Sequence, residues 1–250
     1  KSKVIAANSI NWTRCMSQSV YFFWSFFKLQ HLKRDISFSI PSGNFGHAYA
    51  GWLAKEMGLP IHRLLIATNK NDVLHKMLTK NVYSKGTVYK TLAPSMDISV
   101  ASNFERLLFN LFNDDSRSVN SLMNSFPRNS IKLPDYQLAK LRSFFESNSS
   151  SDEEICNQIQ ETHASNNIIL DPHSATGVRT AKIKRKDSEY IISMATAHPA
   201  KFINAIKEAL PGIEIGKVSQ LLDIEKKKES FTPLVDDFNK VKEYILEHIE

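Results

Sequence analysis

The chain predicts an α/β fold: a three-layer arrangement with a mainly parallel sheet and helices on both faces. Three observations carry this. Short β-branched and aromatic runs alternate with helical patterns along 250 residues, as parallel strands joined by helical crossovers require. The run Ile36 to Ile40 breaks at Pro41-Ser42-Gly43 and opens directly into a helical pattern, His47 to Met57. Small polar residues gather where several such strands hand over to helices, at Asn8-Ser9, Ser42-Gly43-Asn44, Asp171-Pro172-His173-Ser174 and Thr196-Ala197-His198.

In chain order, Val4 to Ala7 reads as a buried strand and Ile10 to Leu29 as a long helix. Ile36 to Ile40 is the second strand, and Gly58-Leu59-Pro60 stops the helix that follows it. Arg63 to Ala67 is a third strand, after which Asn71 is expected to cap a helix to Lys80. Tyr83 to Ser99 is irregular, with Gly86, Pro94 and Asp97. Ser102-Asn103-Phe104-Glu105 fits a capping box opening a helix through Phe112. Asp114 to Phe126, Pro134 to Glu146 and Asp152 to Ala164 read as helices, with Ser147 to Ser151 a flexible or capping stretch. Asn167 to Leu170 reads as a short buried strand before a helix to about Lys186. Tyr190 to Ala195 is the last strand, followed by a helix to Leu210 and a helical end from about Pro233.

Composition narrows the classes. Hydrophobic residues make up 42% and charged residues 23%, ordinary values for a globular domain. The most apolar region, Val20 to Leu29, holds Trp24, Ser25 and Lys28 and is too short for a membrane span, so no membrane partner is expected. No signal-peptide pattern opens the chain, because a polar Asn-Ser-Ile-Asn segment follows its basic start. Two cysteines, Cys15 and Cys156, provide neither a disulfide framework nor a Cys-based zinc site, and they suit a cytoplasmic protein. The net charge of +6 is mild and partly local, in Lys182 to Lys186 and Lys226 to Lys228, without the aromatic interleaving of a nucleic-acid surface. Lys3 to Ala7 reads as a strand with no initiator Met or polar lead-in, which suggests that residue 1 lies inside a larger protein.

The polar junctions define the chemistry. A strand that ends at Pro-Ser-Gly and opens a helix turns backbone N–H groups toward one spot beside the positive end of the helix dipole, which suits a phosphate. Any one junction could be a helix cap, but four at one edge of a sheet fit a ligand that needs several polar contacts. Asn8, Asn11 and Arg14 recur at three-residue steps, so a guanidinium near a helix start could clamp a second anion. The histidines at 47, 62, 75, 173 and 198 show no metal-ligand spacing, so no metal is expected. There is no Gly-x-Ser-x-Gly elbow and no Walker A lysine.

At this point the motifs resemble those of the threonine synthase family. Pro41-Ser42-Gly43-Asn44-Phe45-Gly46 resembles its coenzyme-phosphate loop. The blocks Asn8 to Arg14, Ala67 to Asp72, Ala93 to Ile98 with Ser102 to Leu108, Asp171 to Ala175 and Thr196 to Phe202 resemble others, in order. The resemblance implies a fold-type II, tryptophan synthase β-like fold that is incomplete here. Residues 1–250 would be a large domain binding pyridoxal 5'-phosphate, with a helical insertion at about 100–165. It implies conversion of O-phospho-L-homoserine and water to L-threonine and phosphate, with the coenzyme as electron sink. Carried over residue by residue, Ser42, Gly43, Asn44, Phe45, Gly46 and Thr196 would hold the coenzyme, with Thr196 meeting its ring nitrogen and leaving that nitrogen largely unprotonated. Asn8, Ser9, Arg14 and Asn44 would hold the substrate, and Asp171, His173 and His198 would stand behind them.

The family's Schiff-base lysine sits in a Phe-Lys-Asp motif that these 250 residues do not contain, and Lys201 reads as a structural residue. The chain by itself is therefore expected to be inactive, to bind the coenzyme weakly through its phosphate, and to self-associate through apolar surface. A non-catalytic phosphate-binding fragment and a related phospho-lyase are the competing readings. A cysteine synthase or tryptophan synthase β chain lacks the Asn-Phe-Glu-Arg-Leu and His-Pro-Ala-Lys-Phe blocks.

Overall fold

The computed structural model describes residues 8–126, 128–216 and 227–248. Among the described residues, four strands form one parallel sheet in the order β3-β2-β1-β4. They are β1 (Asp35–Pro41), β2 (Ile61–Thr68), β3 (Phe145–Ser149) and β4 (Glu189–Ser193). The strand read at Val4 to Ala7 lies outside the described residues.

Both faces of the sheet are covered, and the two-residue period of β1 shows how. Phe38 faces the long helix α1 (Trp12–Leu29), its ring 4.9 Å from that of Phe22. On the same side, Gly51 of α2 (Gly46–Glu56) lets that helix close on Phe22 and Leu64 of β2: a Cβ there would lie 2.8 Å from the Phe22 ring. The alternate residues Ser37 and Ser39 point to the other face, where Ser39 Oγ donates 2.7 Å to the Gly177 carbonyl. Gly177 belongs to the later helix α8 (Pro172–Lys184). A serine in a central strand is buried without cost only when it finds such a partner.

The helices between β2 and β3 are α3 (Val73–Lys80), α4 (Phe104–Leu111), α5 (Ser116–Ser125) and α6 (Asp135–Phe144). After β3 come α7 (Asp152–Asn166) and α8 (Pro172–Lys184), and after β4 come α9 (Ile203–Ala209) and α10 (Phe238–Glu247). No helix among the described residues is long and apolar enough to cross a membrane.

Four local expectations are corrected. Ser147 to Ser149 is not a flexible stretch but the end of β3, parallel to β2, and the helix before it stops at Phe144. Ser151 does cap α7, in a reciprocal box with Glu154. Asn167 to Leu170 is not a buried strand: α7 runs on to Asn166, Asn167 closes it in the left-handed region at φ 55°, and Ile168 is 53% exposed. Asn71 does not cap α3. Asp72 takes that position, and the Asn71 amide instead donates 2.8 Å to the Tyr89 carbonyl. The capping box at Ser102 to Glu105 is not formed either, because the Asn103 side chain is engaged elsewhere.

Candidate functional site

The strands all end on one side of the molecule, and the polar junctions meet there. β1 ends at Pro41, and Ser42 remains tied to the sheet, its N–H donating 2.8 Å to the Ala67 carbonyl and its hydroxyl 3.0 Å to the Ile40 carbonyl. The chain then turns sharply. Phe45 sits at φ 67°, in the left-handed region, as the N-cap of α2. Its ring holds the turn in place, packed on Phe104 at 5.4 Å and Phe145 at 5.6 Å. No described residue accepts a hydrogen bond from the N–H of Gly43, Asn44 or Phe45. These donors lie at the positive end of a helix, the arrangement that binds anions.

Two glycines are needed for close approach. A Cβ on Gly43 would lie 3.0 Å from Met96 Cα and 3.1 Å from the Ser95 carbonyl, and one on Gly46 would lie 2.9 Å from Ser9 Cβ. The first contact presses the segment around Ser95 onto the loop. That segment is irregular but not loose. Asp97 accepts from Thr91, Asn69 and Asn71, and Asn69 also donates 2.8 Å to Thr91 Oγ1.

Asn103, 1% exposed, joins the loop to the start of the chain. Its amide donates 3.0 Å to Ser9 Oγ and 3.1 Å to the Asn44 carbonyl, and its backbone N–H donates to that carbonyl as well. Asn44 Nδ2 donates 2.8 Å to Ser9 Oγ, and Asn44 Oδ1 accepts from the Gly46 N–H. Ser9 and Asn44 are therefore brought together as expected. Asn8 is exposed, its side chain accepting from the Ile10 N–H. Arg14 is exposed on the first turn of α1, which opens at Trp12 with Asn11 as its cap.

A second group stands at the turn between α7 and α8 and at the junction after β4. Asp171 is the N-cap of α8 and is 1% exposed. It accepts from the His173 and Ser174 N–H groups, from His173 Nδ1 at 3.0 Å and from the Ser174 hydroxyl. Burial alone would push its carboxyl pKa up, but the hydrogen bonds from His173 and Ser174 outweigh that and hold it below the usual range. His173 Nε2 accepts 3.1 Å from the Ser95 N–H, so the imidazole proton lies on Nδ1 and the ring links Asp171 to the segment over Gly43. Thr196 lies beside this group, its N–H donating 3.0 Å to Ser174 Oγ. His198 is exposed and caps the turn Pro199–Phe202 through the Ala200 N–H.

Between the two groups opens a cleft of about 640 Å³, lined among others by Gly43, Asn44, Ser95, His173, Thr196 and Lys201. Its wall also holds residues that sequence reasoning left out of the site. His47 packs on Phe22 at 5.1 Å, burial lowers its pKa to about 4, and its Nε2 is sealed without a described partner. Gln18 Oε1, from α1, is in the same condition. Buried polar atoms left unpaired are costly and concentrate where a ligand completes them. His47 follows the loop directly, which was the available signal. Asn103 was visible only as part of an apparent capping box.

A parallel sheet covered on both faces by helices is the architecture of the fold-type II pyridoxal-phosphate enzymes. A family model described as "Threonine synthase, C-terminal" matches residues 174–245. Threonine synthase from Pseudomonas aeruginosa is 40% identical over 249 residues, which are 99% of this chain and 53% of that protein. The Saccharomyces cerevisiae enzyme is 40% identical over 233 residues, 85% of this chain and 45% of its own length. The crystal structure of a PLP-bound threonine synthase from Brucella melitensis superposes with a TM-score of 0.87 at 41% identity, covering 97% of this chain and 52% of that one. The chain belongs to the threonine synthase family, and it spans about half the length of the curated relatives it matches.

Proposed function

We propose that this chain forms the coenzyme-phosphate and substrate-phosphate half of a threonine synthase site. The enzyme would convert O-phospho-L-homoserine and water to L-threonine and inorganic phosphate, with pyridoxal 5'-phosphate as coenzyme. The observation that carries the reading is the set of N–H groups at Gly43, Asn44 and Phe45 that no described residue accepts from, in a loop whose Gly43 and Asn44 line the cleft that also holds Thr196. The residues fit a phosphorylated ring: a loop of N–H donors without a described acceptor at a helix start, a hydroxyl across the cleft, and two buried polar atoms without a described partner on its wall.

In this reading Gly43 to Gly46 hold the coenzyme phosphate, with Ser42 anchoring the loop to the sheet. Thr196 meets the ring nitrogen. When bound, the coenzyme supplies the electron sink that lets the γ-phosphate leave. Asn8, Ser9, Arg14 and Asn44 face the substrate phosphate, and Asn103 holds Ser9 and Asn44 at hydrogen-bonding distance. Lys201 adds a cation on the cleft wall.

These 250 residues contain no Phe-Lys-Asp motif to carry the coenzyme. On this reading the chain alone binds the coenzyme through its phosphate and forms no reducible lysine imine in the cleft. Titration with pyridoxal 5'-phosphate, followed by borohydride and peptide mapping, tests both parts. Saturable binding that inorganic phosphate displaces supports the cradle. A reduced adduct on a cleft lysine, or no displacement by phosphate, overturns the assignment.

The chain is also expected to self-associate. Trp12, Met16, Val20 and Trp24 recur at four-residue steps on α1 and are each at least 40% exposed, so one apolar stripe faces outward. A monomer in light scattering would count against this. Its two cysteines are both free thiols, which suits a cytoplasmic setting.

A further inference from the structure

The turn before α1 is held in place by a second helix. Asn103, the N-cap of α4, and Arg106 stand three residues apart and so share one face. Asn103 holds the Ser9 side chain and the Asn44 carbonyl. Arg106 holds the backbone of the turn, its Nη2 donating 2.6 Å to the Ile10 carbonyl. In a regular helix the Arg14 N–H would reach that carbonyl, but it donates 3.0 Å to the Asn11 carbonyl instead. The Ile10 carbonyl is thereby left for the guanidinium, and a bond from a cation is among the stronger ones a carbonyl accepts.

The turn also has bonds of its own. The Asn11 N–H donates 3.1 Å to the Asn8 carbonyl, and the Ile10 N–H donates 3.0 Å to the Asn8 side chain. These fix its shape but not its place against the loop after β1. The bonds from α4 fix its place. Arg106 is set apart from the cleft: it lines a neighbouring cavity of about 590 Å³ with Trp12, Tyr49 and Asn110. It stays close to the turn electrostatically. Burial pushes the pKa of the Cys15 thiol up, and the charges of Arg106 and Arg14 both pull it back, so both guanidinium groups lie near that one buried side chain.

We propose that Arg106 is a positioning residue for the second anion: by holding the Ile10 carbonyl it sets the Ser9 hydroxyl and the Arg14 guanidinium where a phosphate meets both. This rests on the substrate-phosphate reading of Asn8, Ser9, Arg14 and Asn44 given above, and it adds a residue that touches neither ligand. Arg106→Met keeps the length of the side chain and removes the donor. Arg106→Lys keeps a charged donor that extends toward the same carbonyl. Arg106→Met combined with Arg14→Ala separates positioning from direct contact. A residue that acts through Arg14 has little left to lose once Arg14 is gone, whereas an independent contact adds its full effect.

The test is phosphorus-31 NMR on the 250-residue chain. Pyridoxamine 5'-phosphate, which lacks the aldehyde and forms no imine with lysines, is kept saturating to fill the loop after β1. Inorganic phosphate is then titrated, and its separate signal reports the second site in the same sample. Arg106→Met should weaken inorganic phosphate by about tenfold and change pyridoxamine 5'-phosphate affinity by less than about twofold, with little change in melting temperature. Arg106→Lys should fall between the native chain and Arg106→Met. In the Arg14→Ala background, Arg106→Met should add almost nothing. Unchanged phosphate affinity in Arg106→Met, equal losses at both sites, a lysine variant no better than the methionine one, or a full further loss without Arg14 each overturns the proposal and leaves both anion sites standing. A native chain that binds pyridoxamine 5'-phosphate but no inorganic phosphate beside it removes the substrate-phosphate reading and this proposal with it. A native chain that binds neither removes the coenzyme reading as well.

Discussion

The two ends of the sheet are both polar and both buried, yet they are built on opposite terms. At the amino end, Arg63 of β2 lies between Glu146 of β3 and Glu189 of β4 and also donates 3.0 Å to the Lys184 carbonyl. Ser37 bonds Glu189, and Lys184 and Lys186 each approach Glu146 at 3.8 Å. These groups satisfy one another. At the carboxyl end, the N–H groups of Gly43, Asn44 and Phe45 have no described acceptor, and His47 Nε2 and Gln18 Oε1 are buried without a described partner in the wall of the cleft. A closed network holds a fold, and an open one is completed by a ligand.

The largest expected effect breaks the closed end. Arg63→Met leaves the fully buried Glu189 without its cation and Glu146 with only the more distant Lys184 and Lys186, and should cost about 3–5 kcal/mol in denaturant unfolding. Phosphate binding at the other end should survive wherever the variant remains folded. Equal losses of both would show that the ends are not separable.

Acid should reach the two ends at different pH. Burial lowers the pKa of His47 from 6.5 to about 4, so the unfolded chain takes up the proton first. Stability from this group is complete above about pH 6.5 and is lost as pH falls toward 4, by up to about 3 kcal/mol. Burial pushes Glu146 and Glu189 up, but Arg63 outweighs it and holds both below the usual carboxylate range. Their contribution is present above the ordinary glutamate range and is lost only as pH falls below it. Unfolding followed against pH should therefore show two steps. His47→Leu should remove the upper one, and Arg63→Met the lower. A single step unaffected by His47→Leu would mean that the imidazole is not held neutral.

The open end is also sensitive to volume. Gly46→Ala places a methyl 2.9 Å from Ser9 Cβ and 3.3 Å from the Asn103 amide, both fixed by hydrogen bonds. Overpacking of this kind costs about 1–3 kcal/mol. It should also displace Asn44, so binding of pyridoxal 5'-phosphate should weaken with stability. Unchanged affinity would place the anion away from the loop.

What the sequence displays follows the same division. β1, β2 and β4 are legible because each carries a run of β-branched, aromatic or other large apolar residues at its centre. β3 is not, since Phe-Glu-Ser-Asn-Ser looks like a loop until Glu146 meets Arg63 and Ser147 meets His75, 2.9 Å away across the fold. The opposite error occurs at Ile168, where a run of apolar residues lies beyond the end of α7 and never joins the sheet. The Gly43 to Gly46 loop is legible because a proline, two glycines and a helix start are all local signals. Asn103 and Asp171 read locally as caps. Asp171 is one, but its place behind Thr196 comes from a contact 25 residues away, and the bonds from Asn103 to Ser9 span 94. Spacing within a motif cannot reveal contacts of that length.

The smallest effect is the most discriminating. Ser9 Oγ accepts from Asn44 and from Asn103, and Ser9→Ala removes both bonds. Asn103 keeps its bond to the Asn44 carbonyl, and Asn44 is exposed and can turn to water, so little is stranded. The stability cost should be about 1 kcal/mol. The Asn44 side chain, however, loses the partner that orients it beside the loop. If the carboxyl end of the sheet is organised for an anion, calorimetric titration with inorganic phosphate should weaken by several-fold while the melting temperature barely moves. The reverse pattern, a clear loss of melting temperature with unchanged phosphate affinity, would place Ser9 with the closed, structural networks and shrink the open site to the loop itself.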